Sequence, residues 1–111
     1  MYEVRKRIEV SIAHRLQLPY LSACNNLHGH NLVITVFCRA DTLNKEGMVE
    51  DFSSIGALVK SIDHKNINDV FGKPMSAEQL CYWVFENLPT CYRVEIEETS
   101  GNVAVYDATI G

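Results

Sequence analysis

The chain has 111 residues, 47% of them hydrophobic, with four cysteines and a formal net charge of −4. That length fits a single domain, 1–111, with its own core, and the composition excludes both a disordered chain and a membrane-spanning one. The acidic balance argues against a general nucleic-acid binder, and the N-terminal Met1-Tyr2-Glu3-Val4-Arg5-Lys6-Arg7 has no long apolar run behind it, so no signal peptide or membrane anchor is expected and the expected location is cytoplasmic.

From Val4 to Leu16 the even positions Val4, Lys6, Ile8, Val10, Ile12, His14 and Leu16 alternate with Arg5, Arg7, Glu9, Ser11, Ala13 and Arg15. This pattern predicts a strand with one apolar face, and His14 lies on that face. After a loop with Pro19 and Asn25-Asn26, His28, His30, Leu32, Ile34, Val36 and Cys38 form the even face of a second strand able to pair with the first. Asp41 to Gly47 is polar and turn-like. Ile55, Leu58, Val59 and Ile62 recur at helical spacing, which predicts a helix capped by Asp51 or Ser53 and ending near Asp63-His64. The acid and imidazole then fall in an exposed loop, Asp63-His64-Lys65-Asn66-Ile67-Asn68-Asp69, a setting that suits function better than packing.

Ser76 and Gln79 have the spacing of a capping box that opens a second helix, with an apolar stripe of Leu80, Trp83, Val84 and Leu88 before Pro89. The stripe reads as core. Tyr92, Val94, Ile96 and Glu98 share one face of a third strand and Arg93, Glu95 and Glu97 the other. A turn at Ser100-Gly101-Asn102 leads to a fourth strand, Val103-Ala104-Val105-Tyr106. The order β-β-α-α-β-β predicts an α+β fold, an antiparallel sheet with both helices on one face. Two exposed sheet edges predict oligomerisation by edge pairing.

The chemistry concentrates in Cys24-Asn25-Asn26-Leu27-His28-Gly29-His30-Asn31. Alternation puts His28 and His30 on the same side, with Gly29 between them leaving room for close approach. With His14 from the neighbouring strand they form three neutral imidazoles, the open ligand set of a catalytic zinc, or else they are ordinary strand histidines. Buried ring nitrogens need partners, and a cation satisfies all three at once. A structural zinc would want a fourth protein ligand, which Cys24 could supply. Glu98 continues an apolar row, where a carboxylate calls for a ligand or partner. In a reducing compartment the cysteines should be free thiols, with Cys38, Cys81 and Cys91 acting as small buried hydrophobes.

Taken in order, Ser11-Ile12-Ala13-His14-Arg15-Leu16, Cys24-x-x-x-His28-Gly29-His30-Asn31, Gly47-Met48-Val49-x-Asp51-Phe52, Asp63-His64-Lys65-x-x-x-Asp69, Ser76-Ala77-Glu78-Gln79 and Glu98-Thr99-x-x-Asn102-x-x-Val105-Tyr106 resemble the motifs of the 6-pyruvoyltetrahydropterin synthase and 6-carboxytetrahydropterin synthase family. The resemblance spans nearly the whole chain. It implies the tunnelling fold, in which subunits join sheets edge to edge into a β-barrel and two trimers stack as a homohexamer with active sites between subunits. It also implies that His14, His28 and His30 are zinc ligands, Cys24 the catalytic thiol, Asp63 and His64 a catalytic acid-imidazole pair lent by the adjacent subunit, and Glu98 the pterin anchor. The Cys24 loop is short for the family, and Met75 and Gln79 stand where related sequences often have Pro or Thr and Asn.

The implied activity is that of a zinc-dependent lyase acting on 7,8-dihydroneopterin triphosphate. Glu98 would accept a bidentate pair of N–H donors from the pterin ring. Zinc would hold side-chain oxygens of the substrate, Cys24 would take a proton from the neighbouring carbon, and His64, oriented by Asp63, would return one elsewhere. Arg15 and Lys65 are basic residues available to the phosphates. Loss of triphosphate and cutting of the side chain, which releases acetaldehyde, lead to 6-carboxy-5,6,7,8-tetrahydropterin, for queuosine and other deazapurines, which the compact loops favour. The alternatives are 6-pyruvoyltetrahydropterin, for biopterin, and a zinc- or pterin-binding module without turnover.

Overall fold

The N-terminal alternation builds two long strands, β1 (Tyr2–His14) and β2 (His28–Ala40), in a computed structural model that describes residues 1–110. They pair antiparallel from Tyr2 opposite Ala40 to His14 opposite His28. The first strand thus starts two residues before the expected Val4 and stops two short of Leu16.

Helix α1 (Phe52–Lys60) begins where the Asp51 carboxylate accepts the Ser53 N–H at 2.7 Å, so Asp51 is the cap. The expected loop after it holds two further elements, β3 (Lys65–Asn66) and the short helix α2 (Ile67–Phe71). Helix α3 (Ala77–Glu86) opens with the complete capping box of Ser76 and Gln79. Strands β4 (Cys91–Glu97) and β5 (Val103–Asp107) follow.

The sheet order is β3-β1-β2-β4-β5, with β3 parallel to β1 and the other pairs antiparallel. The architecture is therefore α+β with a mixed five-stranded sheet and three helices, and not the four antiparallel strands and two helices expected. A two-residue strand and a single helical turn are too short to carry a period, so periodicity cannot reveal them.

Ile8, Val10 and Ile12 from β1, Leu32, Ile34 and Val36 from β2, and Val94 and Ile96 from β4 are all buried, so one face of the sheet is apolar. Ile55 and Val59 of α1, Ile67 of α2, and Leu80, Cys81 and Val84 of α3 join them in one core. Each fully buried Leu, Ile or Val contributes about 1.5–3 kcal/mol, which holds the helices to that single face. No helix among the described residues is long and apolar enough to cross a membrane.

The opposite face is polar and cross-linked. Phe37 opposes Arg93 and Cys38 opposes Cys91, which leaves Tyr92 as an extra residue in a bulge. Tyr92 therefore does not share the core face with Val94 and Ile96. Its ring meets Phe37 and lies under the Arg39 guanidinium, 3.8 Å from the ring centre, and its hydroxyl donates to Glu3 at 2.6 Å. Cys91 takes the core position in its place.

Candidate metal centre and active site

The β1–β2 ladder carries three histidines to one end of the sheet. His14 lies directly opposite His28, and Ile12 opposite His30. Directly opposed residues and their same-face neighbours two positions away are close enough for their side chains to meet. The ring centres of His14 and His28 are 4.6 Å apart, of His28 and His30 4.6 Å, and of His14 and His30 5.1 Å. The potential ligand atoms of all three lie within 4.8 Å of one another.

Two of the rings are oriented by backbone carbonyls. His14 donates from Nδ1 to the Met75 oxygen at 3.1 Å and His28 from Nδ1 to the Asn26 oxygen at 2.7 Å, since a carbonyl can only accept. In a neutral ring so oriented Nε2 carries the lone pair, the outer-shell pattern of metal-binding histidines. His14 is 2% exposed. Its burial lowers its pKa from the ordinary value, against the Met75 hydrogen bond that raises it, and charge on His28 or His30 lowers it further. The neutral imidazole so favoured is the form that binds a cation. Three imidazoles fit zinc. Among the described residues Cys24 is not part of this ligand group, so the fourth-ligand role considered for it is not borne out.

The triad forms one wall of a cavity of about 410 Å³, which also exposes Cys24, Glu98, Ser76, Glu78 and Asn102. That volume suits a small organic ligand. Cys24 is exposed on a short 3-10 turn (Ala23–Asn25), with its N–H bound to Ser22 Oγ at 3.1 Å, and Leu16 donates to the Cys24 carbonyl at 2.7 Å. Glu98 is half-buried just beyond β4, its N–H bound to the Asn102 carbonyl at 2.9 Å. The other three cysteines are buried free thiols, as expected, and burial pushes Cys81 up to about 12. They are packing groups.

Asp63 and His64 do not join this cavity. They sit on the β1 edge, where Asp63 Oδ1 accepts the Ser11 N–H at 2.8 Å and the His64 N–H donates to the Ser11 carbonyl at 2.7 Å. The His64 ring is 3.7 Å from the Asp63 carboxylate and largely exposed, in a surface hollow with Lys65. Its backbone has φ 58°, a left-handed conformation that is rare outside glycine. Arg15 also lies outside the histidine cavity, sharing another hollow with Lys73.

A Cβ on Gly29 would lie an ordinary 3.6 Å from the Ile12 carbonyl oxygen, so the neighbouring strand makes no close approach that demands glycine there. Conversely, reading the residues one by one missed Glu78 as a cavity residue, because an acid in the first turn of a helix is already accounted for by the helix dipole.

Residues 3–109 match the family model described as 6-pyruvoyl tetrahydropterin synthase. The chain is 28% identical to the 6-carboxy-5,6,7,8-tetrahydropterin synthase of Bacillus subtilis (strain 168), over 95% of this chain and 84% of that protein. It is 30% identical to the 6-pyruvoyl tetrahydrobiopterin synthase of Homo sapiens, over 94% of this chain and 90% of that protein. Its fold matches the structure of Caenorhabditis elegans 6-pyruvoyl tetrahydropterin synthase with a TM-score of 0.75 at 28% identity, covering 96% of this chain and 94% of that one.

Proposed function

This chain belongs to the 6-pyruvoyl tetrahydropterin synthase family, and on that footing we propose that it is a zinc-dependent lyase converting 7,8-dihydroneopterin triphosphate to 6-carboxy-5,6,7,8-tetrahydropterin. One observation carries the reading: the His14, His28 and His30 triad shares a single cavity with the exposed thiol of Cys24 and the carboxylate of Glu98. A bare metal scaffold has no use for the last two.

His14, His28 and His30 would hold the zinc, which when bound would supply Lewis acidity able to acidify a C–H next to oxygen. Glu98 anchors the pterin by accepting two N–H hydrogen bonds and so sets which carbon of the side chain faces Cys24. Cys24, on its short turn, takes the proton. Asp63 and His64 act from the adjacent subunit of a homohexamer, His64 returning a proton elsewhere on the side chain while Asp63 orients it. Their exposure on the β1 edge, away from their own chain's cavity, supports that division. Elimination of triphosphate follows, and with uptake of water the bond between the first and second side-chain carbons breaks, leaving the first as the ring carboxylate and releasing the other two as acetaldehyde.

The similarity to the Bacillus subtilis protein and the short Cys24 loop support the carboxy product. The 30% identity to the human protein favours a second reading, in which the product is 6-pyruvoyltetrahydropterin. Incubating the zinc-loaded protein with the triphosphate substrate and identifying the pterin by chromatography, with an assay for acetaldehyde, separates them. Carboxytetrahydropterin with acetaldehyde supports the first and the pyruvoyl compound the second, whereas intact substrate refutes both.

A further inference from the structure

His14 is the last residue of β1, so the strand ladder that holds it ends where it stands. The residue after it is held from elsewhere. The Asn68 carboxamide accepts the Arg15 N–H at 2.8 Å and donates to the Arg15 carbonyl at 3.2 Å, so one side chain satisfies both backbone groups of that residue. Asn68 is itself placed by the cap of α2, where Asn66 Oδ1 accepts its N–H at 3.0 Å. Beyond Arg15, the Leu16 N–H meets the Cys24 carbonyl at 2.7 Å and the Asn25 amide binds Leu18. Arg15 is thus the joint between the strand that ends in His14 and the loop that carries Cys24.

We infer that Asn68 is a positioning residue for the metal centre, its two bonds to Arg15 fixing the direction in which His14 enters the triad. The inference rests on the metal-binding reading of that triad. Asn68 touches neither the ring nor the cavity and acts through the backbone, while the Met75 carbonyl holds the ring itself. Outer-shell groups that orient a ligand typically change metal affinity by 10–100-fold when removed. An amide is suited to this clamp because it carries a donor and an acceptor side by side. Aspartate keeps the acceptor and loses the donor.

The test uses wild-type protein, Asn68→Ala, Asn68→Asp and, as a remote control, Val36→Ala. Val36 is fully buried and about 20 Å along β2 from His30. Each is titrated with Co²⁺ against a chromophoric chelator, with the cobalt visible spectrum and the metal-free melting temperature recorded. Asn68→Ala is expected to bind cobalt about 10–100-fold more weakly, with an altered spectrum. Asn68→Asp should fall between it and wild type, and carries the test by itself if the alanine variant does not fold. Val36→Ala should lower the melting temperature and leave affinity within about twofold of wild type, as expected for a distant site. Wild-type affinity and spectrum in both Asn68 variants would overturn the inference, as would an equal loss in Val36→Ala. If the wild-type protein itself takes up no cobalt, the metal reading fails and this inference falls with it.

Discussion

His14 stands directly opposite His28 at the end of the β1–β2 ladder, their ring centres 4.6 Å apart and each ring steered by a backbone carbonyl. This pairing makes the three-imidazole cluster a property of strand register: a one-residue slip would send one of the two imidazoles to the opposite face.

Metal binding and turnover should therefore separate by mutation. His28→Ala is expected to lose both bound zinc and activity. Cys24→Ala should keep zinc and lose activity by about 10²–10⁴-fold, the usual contribution of a positioned base. Metal analysis of each purified variant beside a turnover assay checks this, and an active Cys24→Ala protein would refute the assigned base.

If His64 serves the site of an adjacent subunit, inactive variants should rescue each other. Mixing Cys24→Ala and His64→Ala subunits before assembly is expected to restore about a quarter of wild-type activity, since random neighbours bring the two intact residues together in one site out of four. Recovery of none would place both residues in one chain's own site.

His64 has φ 58°, and a left-handed backbone costs an ordinary residue about 1–2 kcal/mol that glycine avoids. Glycine forfeits part of that gain through its larger unfolded-state entropy. His64→Gly should thus be at least as stable as wild type in urea denaturation, by up to about 1 kcal/mol, while losing turnover. A marked loss of stability would mean that the imidazole serves the fold.

Acid sensitivity should trace in part to Glu3. The Tyr92 hydroxyl, with the Arg39 and Arg5 guanidinium groups, lowers its carboxyl from an ordinary 4.5 to about 2. Because the folded value is the lower one, its stabilisation is complete above about 4.5 and is lost as pH falls toward 2. Glu3→Gln should melt below wild type near neutral pH, and the two curves should converge in acid. Parallel curves across that range would rule the carboxylate out.

Long periodic stretches were legible from the residues alone. His14, His28 and His30 could be placed on one face because thirteen-residue strands repeat their alternation many times. Ser76 and Gln79 announced α3 through local hydrogen-bonding chemistry that needs no tertiary context. Lys65–Asn66 and Ile67–Phe71 were invisible because their structure comes from docking on β1 and from the Asn66 cap. The role of Met75 was hidden for a different reason, since a carbonyl contact carries no side-chain signature. Tyr92 was assigned to the wrong face because alternation assumes an unbroken ladder.

That interruption decides how β4 can change in length over evolutionary time. Removing Tyr92 would heal the ladder, costing the polar face its phenol while Val94, Ile96 and Glu98 keep their orientation. Deleting any single residue from Arg93 to Glu97 would instead reverse the parity of part of the strand relative to Glu98. A deletion at position 92 and one a step later therefore differ in kind, since the spacing from residue 93 to residue 98 fixes the side of the strand on which the Glu98 carboxylate stands.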